Sequence, residues 1–322
     1  MRASNPGLLL LLTLALLWAV GGYVFYRLDR WHDERDYRLL ADLAAYKGEL
    51  AKSTPSPRIV IAGGSNAYYG IDARQLERRL GVPTVNVALP FGAHHYRINL
   101  DLLSELVRAG DTIVYASANF WQGEIGVRRR AIGFDSYLVK IDYPDYDRQF
   151  KGDILHWQAL PHRNSLLLSI VDVLKAEKGR SWIVDTDDHG DFTGCVPPPV
   201  LSPQRFEGDL PNAKLAKALL DAAARLRQKG VQLLVHMPWL FISEHDRERW
   251  MHFRDQFIRQ YEPAIPVLAA EPSRILRSKR SDFCDSPLHP SREATKLRTE
   301  DLVTALKPYL RDRVAASANG AL

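Results

Sequence analysis

Three residues of the sequence have the types and the chain order needed for nucleophilic acyl transfer. Ser65 follows the β-branched run 59–61 and two glycines. Asp285 and His289 lie four residues apart on a proline-containing turn near the carboxyl end. A serine hydroxyl becomes a strong nucleophile when a histidine takes its proton, and a carboxylate holds that histidine in the required tautomer. We therefore predict Ser65, Asp285 and His289 as a catalytic triad. Two alternatives are open: Asp282 as the carboxylate, and Ser65 as a simple helix cap.

Two further positions could stabilise the negative charge that develops on the substrate oxygen. Gly92 follows the second predicted strand, and Asn119 follows the third. Together with the main-chain N–H of Ser65, the N–H of Gly92 and the side-chain amide of Asn119 would form an oxyanion hole. In such a hole each donor contributes about 3–4 kcal/mol of transition-state stabilisation. For Asn119, the capping of a turn is an equally simple explanation.

The order of the predicted elements explains why these residues should meet. From residue 58 onward, β-branched segments alternate with amphipathic helical segments, which predicts an α/β domain with a parallel sheet covered by helices on both faces. The carboxyl ends of parallel strands lie at one edge of the sheet, where ligands bind. We expect one domain over 58–311, with an insertion at about 121–211 and a tail at 312–322. The predicted strands are 59–62, 84–88, 112–117, 231–236 and 266–269, and the predicted helices are 72–80, 96–108, 213–229, 244–261 and 291–310.

The amino terminus is predicted to anchor the chain in a membrane. After a tail at 1–7, residues 8–26 carry no charge and are rich in leucine. As a helix this segment would be about 28 Å long, close to the thickness of a hydrocarbon core. The length and the lack of a small-residue cleavage site favour a retained transmembrane helix over a signal peptide. Residues 27–57 are predicted as a juxtamembrane helix and linker. Their arginines would place the domain in the cytoplasm by the positive-inside rule.

Composition excludes several other classes of function. The net charge is only +5, from 43 basic and 38 acidic residues, and the longest basic run, 128–130, is too short for a nucleic-acid footprint. Cys195 and Cys284 belong to no zinc-binding pattern, but they could pair in an oxidising compartment. The acidic run 185–191 is predicted to be a solvated loop rather than a metal site. We therefore expect no nucleic acid, no metal and no cofactor.

The motifs around these residues resemble those of the SGNH (GDSL-like) hydrolase superfamily. In that superfamily, a Gly-Asp-Ser block follows the first strand; here the corresponding residues are Gly63-Gly64-Ser65, with glycine in place of the aspartate. Gly92 matches the second block, and Asn119 matches the asparagine of the third. Asp285 and His289 match the final Asp-x-x-His block with one extra residue between them. The resemblance covers residues 58–311 and implies a flavodoxin-like parallel sheet with Ser65, Asp285 and His289 as its triad.

The predicted membrane anchor restricts the resemblance to a smaller group of SGNH proteins. One membrane span before such a domain is similar to the membrane-anchored SGNH proteins of bacterial envelope polysaccharide O-acetylation and to the teichoic-acid D-alanylation protein. The resemblance implies a domain in the periplasm, outside the inner membrane, contrary to the charge count. It also implies a serine-dependent acyltransferase or esterase, a polysaccharide acceptor and a membrane-bound O-acyltransferase as partner. The alternative is a catalytically inactive SGNH scaffold that binds glycan or assembles a polysaccharide-modification complex.

Overall fold

The computed structural model describes residues 6–89, 100, 103–117, 120, 186–192, 201–203, 213–268, 272–277 and 279–318. Gly92, Asn119, Cys195 and most of the predicted insertion lie outside the described residues. The chain divides into two units, residues 1–39 with 129–181 and residues 40–128 with 182–322. We describe each unit by itself.

The first unit begins with a helical segment that is long and apolar enough to cross a membrane. Helix α1 runs over Pro6–Ser53. Its segment Pro6–Tyr23 has a mean hydropathy of 1.8 and is 0% buried. At about 1.5 Å per residue, this segment alone approaches the thickness of a bilayer core. The predicted juxtamembrane helix is not a separate element, because the intervening residues 27–34 contain no glycine or proline that would end α1.

The second unit is built around a five-stranded parallel sheet. Its strands are β1 (Ile59–Gly63), β2 (Thr84–Asn86), β3 (Thr112–Ala116), β4 (Gln232–His236) and β6 (Val267–Leu268), in the order β2-β1-β3-β4-β6. The two-residue strands β5 (Leu240–Phe241) and β7 (Leu276–Arg277) form a separate parallel pair. Because β2 and β3 lie on opposite sides of β1, the strand order reverses between β1 and β3. In open α/β sheets, ligands bind at the carboxyl ends of the strands beside such a reversal.

Helices cover both faces of this sheet. Those with described bounds are α2 (Ser65–Tyr68), α3 (Ala73–Leu80), α4 (Ala213–Gln228), α5 (Arg247–Tyr261), α6 (Pro272–Ile275) and α7 (Arg292–Ala318). Neighbouring residues of β1 enter different cores. Val60 belongs to a hydrophobic cluster with Leu219 of α4 and Phe257 of α5, whereas Ile61 belongs to one with Leu306 of α7. The predicted α/β fold is therefore confirmed, and burial of both faces explains the unbroken apolar run of β1.

A buried ion pair joins the amino ends of β1 and β3, at the opposite end of β1 from Ser65. Arg58 Nε donates to Asp111 Oδ2 at 3.1 Å, and both side chains are fully buried. The two other guanidinium nitrogens of Arg58 donate to the carbonyl oxygens of Thr54 and Leu106. Each charge of this pair therefore has its counter-charge, and every nitrogen of the guanidinium has an acceptor. A buried pair is stable only when its groups are satisfied in this way.

Candidate active site

Ser65 lies directly after a tight turn at the carboxyl end of β1. Gly63 has a φ of +131°, and a Cβ on it would overlap the carbonyl oxygen of Ala116 in β3. Gly64 donates its N–H to that same oxygen at 3.2 Å and forms the N-cap of α2. Ser65 is the first residue inside α2, so the alternative in which it caps the helix is wrong. Within the described part of the chain, Ser65 Oγ makes no hydrogen bond.

Asp285 and His289 form a carboxylate–imidazole pair. His289 Nδ1 lies 2.8 Å from Asp285 Oδ1. The hydrogen bond from His289 lowers the pKa of Asp285 below its usual range, so the carboxylate is ionised at neutral pH. An ionised carboxylate only accepts, and Nδ1 must therefore carry the proton of the neutral imidazole. The lone pair of Nε2 is then free to accept a proton, as a general base requires.

The loop that carries His289 is closed by its own hydrogen bonds. Phe283 and Pro290 form an isolated antiparallel bridge, and the Cys284 N–H donates to the carbonyl of His289 at 2.8 Å. Asp282 is paired with Arg277, whose Nε donates to Asp282 Oδ2 at 2.7 Å. The carboxylate hydrogen-bonded to His289 is thus that of Asp285, not that of Asp282. The extra residue between Asp285 and His289 is accommodated within the turn.

Tyr69 joins the imidazole to the segment of Ser65. Its ring stacks on that of His289, with the two centroids 4.2 Å apart and the planes 9° from parallel. The N–H of Tyr69 donates to the carbonyl oxygen of Ser65 at 2.8 Å. The imidazole therefore stacks on a residue that lies one helical turn after Ser65. Among the described residues, no hydrogen bond joins Ser65 Oγ to His289. Unliganded sites often lengthen this contact and close it when substrate binds.

The two other predicted donors, Gly92 and Asn119, lie outside the described residues, and their roles stay predictions. The described chain leads toward both positions from β2 and β3, the two strands that flank β1. Leu89 donates its N–H to the carbonyl of Gly63 at 3.3 Å, and β3 ends at Ala116, which approaches Gly63 and Gly64. The reversal of strand order thus brings the segments that precede both residues beside the Ser65 turn.

Sequence reasoning missed Lys47, a buried lysine beside this region. Its Nζ donates to the carbonyl oxygens of Asn86 at 3.0 Å, Ala88 at 2.6 Å and Gly190 at 2.8 Å. Burial lowers the pKa of Lys47 to about 7. Two of these carbonyls belong to the end of β2 and the residues after it, and the third belongs to the loop 186–192, so Lys47 of α1 holds both segments together. No sequence signal distinguishes it from the solvent-exposed lysines of an amphipathic helix.

The acidic run is only partly the solvated loop that was predicted. Asp191 is buried; it accepts a hydrogen bond from Asn86 Nδ2 at 2.9 Å, and burial raises its pKa well above the usual range. Asp187, Asp188 and His189 have ligand atoms within 4.8 Å of one another. However, Asp187 Oδ1 accepts two backbone N–H groups of its own loop, and Asp188 pairs with Arg74. These contacts are those of a hydrogen-bonded turn.

Comparisons with known proteins leave the family open. No family model matches the sequence, and no curated protein matches it. Among solved structures, the chain is similar to the protein YxiM of Bacillus subtilis, with 11% identity and a TM-score of 0.37 over 78% of this chain. The match covers 56% of the YxiM chain, so our chain spans little more than half of that length. This likeness is weak, and the resemblance to the SGNH superfamily stays a prediction from the motifs.

Proposed function

We propose that this chain is a membrane-anchored, serine-dependent esterase or acyltransferase with an SGNH-like site. One observation carries the proposal: His289, paired with Asp285, stacks on Tyr69, which lies one helical turn after Ser65 at the reversal of strand order. Asp285 holds the proton on His289 Nδ1, so that Nε2 can act as the base for the hydroxyl of Ser65. This division of roles is the one that a serine nucleophile requires.

The reaction would proceed through an acyl-enzyme. Ser65 Oγ attacks the ester carbonyl while His289 Nε2 takes its proton, and Asp285 stabilises the resulting imidazolium. The N–H of Ser65, with Gly92 and Asn119, would bind the tetrahedral oxyanion. Collapse of the intermediate expels the alcohol, which receives the proton from His289 and leaves the acyl group on Ser65. Attack by a sugar hydroxyl would complete transfer, and attack by water would complete hydrolysis.

For the compartment, we propose the periplasmic side of a bacterial inner membrane. Cys284 is disulfide-bonded, and the only other cysteine of the sequence, Cys195, lies outside the described residues. Disulfides persist in oxidising compartments and are rare in the cytosol. This supports the location that the motif resemblance implies, against the positive-inside rule. With that resemblance we propose an envelope or secreted polysaccharide as acceptor and a membrane-bound O-acyltransferase as donor partner.

The topology can be tested with one substitution. In Cys284→Ser, Cys195 is expected to be left as a free thiol. A membrane-impermeant maleimide should therefore label this variant in intact spheroplasts, whereas the wild-type chain should be labelled only after reduction. Labelling of the variant only after lysis would place the domain in the cytoplasm. Reaction of the unreduced wild-type chain would contradict the disulfide.

The nucleophile can be tested with a fluorophosphonate, which reacts with activated serines. We expect the wild-type chain to be modified at Ser65, as read by mass spectrometry. Ser65→Ala should not be modified, and His289→Ala should be modified only slowly, because the hydroxyl then lacks its base. Ser53→Ala and His252→Ala change the same residue types at exposed helical positions and serve as matched controls.

The outcomes separate the enzyme from a non-catalytic scaffold. A wild-type chain that is neither modified at Ser65 nor active on an acetyl ester would favour the inactive glycan-binding or assembly protein. In cells, unchanged acylation of the polymer in a Ser65→Ala strain would contradict the acyltransferase. Loss of acylation in that strain, together with normal amounts of membrane-associated protein, would support it.

A further inference from the structure

Arg298 is a buried cation without a carboxylate partner among the described residues. It lies on α7, it is 0% exposed, and burial lowers its pKa to about 9, so that it is still charged at neutral pH. Among the described residues, the other fully buried arginine is Arg58, which has Asp111 as its counter-charge. Burying a charge without a counter-charge opposes folding. Burying Arg298 therefore lowers the stability of the fold in a way that burying Arg58 does not. A role other than stability must explain why an arginine occupies this position.

The guanidinium of Arg298 contacts the residue that follows Ser65. Its Nη1 donates to the carbonyl oxygen of Asn66 at 2.6 Å. Its Nη2 lies 3.3 Å from Nδ1 of His236, at the carboxyl end of β4. Burial, followed by the charge of Arg298, lowers the pKa of His236 well below its usual value, so the imidazole is neutral and Nδ1 can accept. The buried Nε of Arg298 has no partner in the described part of the chain.

Helix α7 makes two more contacts with the same segment. Thr295 Oγ1 donates to the carbonyl of Tyr69 at 3.1 Å, and Thr299 Oγ1 accepts from the N–H of Asp72 at 3.1 Å. With the bond from Arg298 to Asn66, these contacts recur every three residues along the chain that follows Ser65. A Cβ on Gly70 would overlap Arg298 and lie 2.9 Å from Pro290, so the two segments are closely packed.

The position at which α7 begins connects these contacts to the loop of His289. The helix begins at Arg292, three residues after His289. One rigid element thus carries the loop of the base at its start and holds the segment of the nucleophile through its next turns. A displacement of about 1 Å between reacting groups can reduce a rate by about 10²-fold. A buried link between the two segments would suppress such displacements.

We propose that Arg298 is a positioning residue, which fixes the turn of Ser65 relative to the loop of His289 at the expense of stability. The inference rests on the proposed function and deepens it. The planar guanidinium reaches Asn66 and His236 at once through two nitrogens. A lysine at this position has a single nitrogen and cannot reproduce both contacts in the same geometry. Methionine fills a similar volume without donating to either acceptor.

The experiment compares Arg298→Met and Arg298→Lys with Arg58→Met in the full chain. We expect Arg298→Met to keep or raise the melting temperature, because an unmatched buried charge is removed. Its rate of fluorophosphonate modification at Ser65 should fall about 10²-fold, and kcat for nitrophenyl acetate should fall with little change in KM. Arg298→Lys should recover only part of the rate. Arg58→Met should melt at a lower temperature, because it leaves Asp111 buried alone, and each folded molecule should react normally.

Amide hydrogen exchange provides a readout that does not depend on activity. Arg298→Met should speed exchange of the amides of Ala67, Tyr68 and Tyr69, which bond to the carbonyls of Gly64 and Ser65. A variant that fails to fold, or that reacts and exchanges like the wild-type chain, would overturn the inference. If the wild-type chain is not modified at Ser65, the proposed function fails. The exchange rates alone then decide whether Arg298 holds the turn.

Discussion

Replacing Asp285 with asparagine is expected to lower kcat/KM for an acetyl ester by about 10³–10⁴-fold while the fold persists. The amide has nearly the shape of the carboxylate, but its NH₂ group can donate to His289 Nδ1. The imidazole would then adopt the tautomer with its proton on Nε2, which cannot accept the proton of Ser65. Because the pKa of Asp285 lies below its usual range, we expect the full loss throughout the neutral pH range. Steady-state kinetics, with circular dichroism as the check on folding, would measure it.

Asp282→Asn is the matched control, since it makes the same change in the same loop. The carboxylate of Asp282 bonds to Arg277 and not to His289, so this variant should lose stability in the loop and little activity per folded molecule. A greater loss of activity in Asp282→Asn than in Asp285→Asn would show that the carboxylate has been assigned wrongly. Equal activity of Asp285→Asn and the wild-type chain would remove Asp285 from the mechanism.

The sequence predicted those elements well whose residue types are set by a single physical constraint. Burial on both faces requires continuous apolar strands, and the predicted segments 59–62 and 231–236 differ from β1 and β4 by one residue each. The triad residues could be proposed because their roles demand particular side chains in the loops after strands. Asp285 was predicted with Asp282 as an alternative, because the sequence does not show that Asp282 pairs with Arg277 of β7. A two-residue strand is too short to leave a periodic pattern.

Buried ionisable side chains were the features that the sequence did not reveal. Lys47, Asp191 and Arg298 have the residue types of a hydrated surface, and Lys47 and Arg298 lie on helices with many exposed charges. Their partners are groups distant in sequence: Lys47 and Arg298 donate to the backbone carbonyls of Gly190 and Asn66, and Asp191 accepts from the side-chain amide of Asn86. Because every residue has a backbone carbonyl, the residue types in the sequence do not show which carbonyls accept these hydrogen bonds. Only the folded arrangement reveals that these ionisable groups are buried away from water.

Gly63→Ala is expected to destabilise the protein by more than about 4 kcal/mol, because the new Cβ meets a backbone atom that cannot move alone. A Cβ at this position would overlap the carbonyl oxygen of Ala116 and lie 3.1 Å from the nitrogen of Ala116. Relief would require β1 and β3 to separate, which would also break the hydrogen bond from Gly64 to Ala116. Chemical denaturation would measure the loss of stability. Fluorophosphonate modification of the folded fraction would show whether Ser65 has moved.

Gly81→Ala is the control that separates the effect of the clash with Ala116 from the effect of backbone strain at a positive φ. Gly81 also has a positive φ, of +68°, but its Cβ would meet nothing within 4 Å. Its substitution should therefore cost only the conformational strain of a left-handed residue, about 1–2 kcal/mol. If both variants lost the same free energy of unfolding, the contact with Ala116 would not matter. A much larger loss in Gly63→Ala would mean that position 63 tolerates no side chain, because the carbonyl oxygen of Ala116 in β3 occupies the place of its Cβ.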